Sequence, residues 1–255
     1  MDVDDAGGSP RSALERALGG VERIAGRLHR RRWATLGVIA LRILIGFAFL
    51  PAGLKKLLGE PFTDPANHGR FHDFLHAFRD TGAFYQSVGA LQLLAACLLM
   101  TQRFAALGAF VALPILTAIG AFCWSTAGIP TTTVVTLMWL GTVGLMIWDV
   151  ERWRGLLRPS GAPRRDATSV AAMNREMDVA TPAAASAPVE WRLWERCGAA
   201  ILAAYLGATA LAGEIYRPRG LELSTPAFYL LVALPAFPLI TYALERRRLR
   251  RRSSS

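Results

Sequence analysis

Six long apolar runs dominate the chain, each separated from the next by a short polar or arginine-rich stretch. A bilayer core about 30 Å thick is crossed by a helix of about 20 mostly apolar residues. The runs have that length: about Trp33 to Leu54, Ala83 to Met100, Phe104 to Trp124, Thr131 to Trp148, Trp194 to Ala212 and Pro226 to Leu244. In lipid no water pairs with an exposed backbone group, so such runs are predicted to be α-helices. The predicted fold class is all-α: a polytopic membrane protein with a four-helix transmembrane bundle and a C-terminal two-helix transmembrane hairpin.

Composition agrees with that reading. Of 255 residues, 53% are hydrophobic and 19% charged, against about 25% charged in an average soluble protein. The mean hydropathy is +0.30, yet the net charge is +10. Apolar and basic residues must therefore be segregated along the chain. This excludes an ordinary soluble enzyme, a disordered chain and a disulfide-stapled secreted domain. Cationic side chains are retained on the cytoplasmic side of a membrane. With the N-terminus placed inside, the cytoplasmic segments hold 22 of the 29 Lys+Arg, the outer segments 6, and Arg42 lies within the first run. Both termini are expected in the cytoplasm, with an even number of spans. The first 32 residues lack the apolar core of a signal peptide, so the first span is expected to act as its own insertion signal. Nucleic acid is not an expected partner, because no recognised module accompanies the charge. The arginines read as topology signals and contacts to anionic lipid, each worth about 1 kcal/mol near the surface.

Five regions follow along the chain. Residues 1–32 form a basic cytoplasmic segment with Leu14, Leu18, Val21, Ile24, Ala25 and Leu28 at roughly helical spacing, an amphipathic surface helix. Residues 33–156 form the four-helix transmembrane domain. Residues 157–190 read as a flexible Ala/Pro-rich linker. Residues 191–245 form the transmembrane hairpin. Its first helix carries Ala199, Ala203 and Gly207 at four-residue spacing, and Pro235 and Pro238 are predicted to bend its second. Residues 246–255 are a basic cytoplasmic tail.

Arg42 is the most informative single residue, roughly 10 Å below the inner interface at 1.5 Å per residue. A charge there is costly and must face protein or water, or snorkel. Asp149, closing the fourth run, is the favoured partner, and Gln92 in the second run is another. With Trp139 as an aromatic wall, Arg42, Gln92 and Asp149 define a candidate intramembrane polar pocket. The alternative is that Arg42 snorkels and holds the helices in register. The loop after the first run carries His68, His72 and His76 at four-residue spacing. His72 and His76 are a candidate metal pair, since neutral imidazoles one helical turn apart can chelate. The alternative is the polar face of a capping helix whose other face is Phe71, Phe74, Leu75 and Phe78. Thr117, Thr131, Thr132, Thr133 and Thr136 either line a pocket or make interhelical hydrogen bonds. Cys97, Cys123 and Cys197 form no CxxC and read as packing residues. No nucleotide, metalloprotease or nucleophile-elbow motif occurs.

Three stretches carry a resemblance: RILIGFAFLPAGLKKLLG, with Arg42, Gly46, Gly53 and Lys56; GALQLLAACLLMTQRFAALGAF, with Gly89, Arg103 and Gly108; and the Trp148–Asp149 pair. Over residues of about 39 to 156 the chain resembles the DoxX-like family of small bacterial membrane proteins. Many relatives carry a Glu near the place of Gln92, and this chain departs from them there. The resemblance implies a four-helix bundle in the bacterial inner membrane. It also implies a link to redox chemistry, because the family takes its name from a subunit of a thiosulfate:quinone oxidoreductase. Quinone is the cofactor it suggests, and a membrane or redox protein the partner. The expected function is a quinone-linked membrane subunit, more a non-catalytic component than a complete enzyme. The alternative is a small-solute permease or a membrane protein that binds partners.

Overall fold

The computed structural model describes Gly20, Gly26, His29 and residues 31–150, 189–215 and 224–253. Most of the N-terminal amphipathic segment and nearly all of the predicted linker lie outside these residues. The helices are α1 (Arg32–Leu57), α2 (Arg70–Asp80), α3 (Ala83–Met100), α4 (Ala105–Thr126), α5 (Ile129–Trp148), α6 (Trp191–Ala212), α7 (Pro226–Val232) and α8 (Ala236–Ser253). No strand occurs among the described residues. All six predicted runs are helical. Four of them, α1, α3, α4 and α5, are long and apolar enough to cross a membrane, and α7 with α8 makes a fifth if the bent pair counts as one span. Helix α6 has 22 residues, but Arg192, Glu195 and Arg196 occupy its start and it stands outside that count.

The chain divides into two compact units. The smaller comprises residues up to Thr35 with Asp149–Pro188, and among its described residues Asp149 and Val150 are buried. The larger comprises Leu36–Trp148 and Val189–Ser255.

Close helix crossings organise the larger unit. A Cβ added to Gly46 of α1 would lie 2.6 Å from Met100 Cγ, and one added to Gly53 would lie 2.9 Å from Leu93 Cγ. At Gly89 of α3 it would meet the Leu57 backbone nitrogen at 2.5 Å and Lys56 Cβ at 2.7 Å. Gly108 seats α4 on α3, where a Cβ would stand 2.9 Å from the Leu99 nitrogen. Gly198 of α6 rests on the Met100 carbonyl, leaving no room for a side chain. Lipid tails are as apolar as leucine, so helix association in a bilayer depends on such intimate packing. The outward faces agree: mid-helix Leu44, Phe110 and Leu137 are 66%, 57% and 62% exposed.

Helix α2 caps one end of the bundle. Phe71 and Phe74 pack on Phe122 of α4, with ring centroids 5.2 and 4.3 Å apart, and Phe78 meets Tyr85 of α3 at 5.0 Å. The turn into α3 uses Gly82 at φ 59°, a conformation that glycine adopts without steric cost. At the far end of the chain, α7 and α8 meet at 44°. Pro235 and Pro238 cannot donate to the carbonyls four residues back. Those carbonyls are paired instead by tighter bonds, Leu234 N to Leu231 O at 3.1 Å and Phe237 N to Leu234 O at 3.2 Å. The bend predicted from the two prolines is present.

The glycine crossings are directly testable. Gly89→Ala should destabilise the protein by about 1–3 kcal/mol, the usual cost of overpacking. Gly144→Ala, with nothing within 4 Å of its added Cβ, should be neutral or gain up to about 1 kcal/mol from helix propensity. Denaturant titration in detergent checks both; equal effects would contradict the packing described.

Candidate functional site

The polar residues inside the larger unit fall in separate places. Arg42 is 2% exposed, and its Nη1 donates to Gln102 Oε1 at 3.3 Å. Gln102 occupies the tight turn between α3 and α4 at φ 61°, the sole non-glycine with positive φ among the described residues. That conformation costs about 1–2 kcal/mol for a residue with a Cβ. Its amide is anchored at both ends, because Nε2 also donates to Met100 O at 3.4 Å. Arg42 thus reaches a strained turn and not the middle of α3.

Gln92 lies elsewhere. Gly46 faces Ala96 and Met100 while Gly53 faces Gly89 and Leu93, which puts Gln92 near the level of Gly53. Ten residues separate it from Gln102, roughly 15 Å at helical rise. Gln92 is 1% exposed, and its Oε1 has no hydrogen-bond partner among the described residues. A buried unpaired amide oxygen costs about 1–3 kcal/mol.

Trp139 faces α4, where its Nε1 donates to Thr117 Oγ1 at 3.0 Å. Trp124 mirrors it by donating to Thr136 Oγ1 at 3.1 Å. Each threonine donates in turn to a carbonyl of its own helix at 2.8 Å. These two ties pin α4 to α5, so Thr117 and Thr136 act as interhelical hydrogen-bond partners. Asp149 is 5% exposed and belongs to the smaller unit.

The loop histidines are engaged singly. His72 Nδ1 and Thr63 Oγ1 stand 2.7 Å apart, and His76 Nε2 lies 3.2 Å from Asn67 O. His68 Nδ1 lies 3.8 Å from Asp73 Oδ1. No group of three or more potential metal ligands occurs among the described residues. The three cysteines are free thiols, Cys123 and Cys197 buried and Cys97 half-buried.

Three buried polar residues have no site role in the sequence reading. Gln102 is one; its signal was a tight interhelical turn, Thr101 to Phe104, with no Gly or Asn to take a left-handed conformation. Lys56 is another, 6% exposed, with Nζ donating to Ala52 O at 3.3 Å and lying 4.4 Å over the Phe62 ring. Glu245 is fully buried, and its Oε1 accepts from Glu190 N at 2.7 Å at the start of α6. Glu190 Oε2 in turn pairs with Arg248 Nη1 at 3.2 Å. A carboxylate suits that place, where a helix N-terminus presents unpaired N–H groups.

Together the helices and contacts define a polytopic, all-helical membrane protein. No family model matches the chain, and no curated protein or solved structure matches it either.

Gln102 has two opposing effects that substitution separates. Gln102→Ala keeps the strained φ and loses the bond to a charged partner, so it should destabilise by about 1–3 kcal/mol. Gln102→Gly loses the same bond but relieves the backbone, recovering about 1 kcal/mol. Unfolding midpoints in detergent check the order; Gly equal to or worse than Ala would contradict it.

Proposed function

We propose that this protein is a DoxX-like subunit of a redox complex in a bacterial inner membrane, holding a quinone within its helix bundle while a partner protein supplies the electrons. One observation carries the reading: the Gln92 amide is buried at mid-bundle with its oxygen unpaired among the described residues. A buried amide of this kind is the polar handle that an otherwise apolar pocket uses to orient a ligand, and its unpaired oxygen can accept from a hydroxyl of the reduced, quinol form. The glycines that carry the resemblance give further support, since Gly46, Gly53, Gly89 and Gly108 all sit at helix crossings. The same reading has six crossings, with α6 as the fifth, and both termini in the cytoplasm. Helix α6 is long enough, as 22 residues rise roughly 33 Å.

The alternative reading is a membrane protein that binds partners or passes a small solute. Exposed Ala199 and Ala203 on α6 favour the partner-binding form, because small residues let a second helix approach closely.

Extraction of quinone from the purified protein separates these readings. The expected result is quinone well above its ratio in the surrounding lipid. Gln92→Leu should keep the fold and lose about tenfold in retention, the equivalent of one hydrogen bond. Background quinone in the wild type, with a membrane protein co-purifying, would favour the alternative.

A further inference from the structure

An apolar groove of about 630 Å³ lies between α1, α6 and the bent α7–α8 pair. Leu36 and Phe47 mark its extent on α1, Trp194 and Ile201 form one wall, and Leu234 and Tyr242 form the other. Pro235 and Pro238 also line it, so the break between α7 and α8 helps to shape the cleft. Its volume falls within the range of about 300–1,000 Å³ typical of ligand sites.

Three properties describe the occupant. The first is length. Leu36 to Phe47 spans roughly 16 Å at helical rise, close to the thickness of one leaflet of a core about 30 Å deep. A single acyl chain has that reach. The second is access, because Leu44 and Leu239 on the lips are 66% and 69% exposed, leaving the groove open sideways to lipid. The third is charge. Leu239 and Tyr242 on α8 continue from Pro235 in the break at helical spacing, and the next residue of that stripe is the exposed Arg246. Arg246 opens a tail with six arginines between 246 and 252. The apolar stripe thus runs into a cationic end, matching a molecule with a hydrocarbon tail and an anionic head.

We propose that this groove holds one acyl chain of an anionic glycerophospholipid, with its phosphate against Arg246. The site lies on a different face of α1 from the crossings with α3. It needs only that the chain is embedded in a bilayer and stands without the quinone reading. A quinone is uncharged and has no use for Arg246, so the cationic end favours the phospholipid.

Trp194 supplies a local probe. The full chain is placed in phosphatidylcholine vesicles containing a minority of lipid with brominated acyl chains, and the emission lost in Trp194→Phe is followed. Brominated phosphatidylglycerol should quench Trp194 at about fivefold lower mole fraction than brominated phosphatidylcholine, as expected for one near-surface arginine. Arg246→Gln, an exposed change, should remove most of that preference. Ala40→Phe, which places a ring in the groove, should protect Trp194 from both lipids. Equal quenching by the two lipids in the wild type would overturn the proposal. So would a preference that survives Arg246→Gln, or displacement of the brominated lipid by ubiquinone but not by unlabelled phosphatidylglycerol.

Discussion

Helix α3 is held at places where no side chain fits. Gly53 and Gly89 bring α1 against it, Gly108 seats α4, and Gly198 of α6 rests on the carbonyl of its last residue, Met100. Lipid gives helices little hydrophobic reason to associate, so contact must come from close approach of backbones and dispersion between them. Remove that approach and the other contacts lose their geometry. The Gln102 turn depends on where α3 ends, the Arg42 bond depends on the turn, and the ring stack of α2 depends on where α3 begins.

Polar groups in this setting are used sparingly, mostly as fasteners. Arg42 and Gln102 secure one turn. Two tryptophan–threonine bonds join α4 to α5. Glu245 and Glu190 tie the start of α6 to α8. Each pairs groups whose burial alone would be costly. Gln92 stands apart from this economy because its oxygen has no such partner among the described residues. The Trp194 indole N–H is likewise unpaired among the described residues, but Gln92 lies at the middle of α3, which is why it anchors the functional reading.

Hydropathy made the helices legible. Run length alone located α1, α3, α4 and α5, and two prolines marked the bend between α7 and α8. The helical spacing of Phe71, Phe74 and Phe78 anticipated the capping face of α2, because amphipathic periodicity survives in a short helix. What escaped was pairing across long sequence distance. Arg42 meets a residue sixty positions away in a turn marked only by its shortness and its lack of Gly or Asn. Lys56 is among the residues that carry the resemblance, yet nothing local announces that its Nζ lies over the Phe62 and Tyr85 rings. Apolar helices also say little about chemistry, since leucine faces that meet lipid and leucine faces that meet protein read alike.

Embedding in a bilayer is the claim on which all of this stands. It is tested most directly by labelling single cysteines, in a background without Cys97, Cys123 and Cys197, with a membrane-impermeant maleimide on intact cells. Cysteines at Leu44, Phe110 and Leu137 should stay unlabelled even after the membrane is made permeable to the reagent. A cysteine at Asp80 should react at once, and one at Ser254 only after permeabilisation. Ready labelling at the three apolar positions would contradict the embedding, and labelling of Ser254 in intact cells would contradict the proposed cytoplasmic placement of the arginine tail.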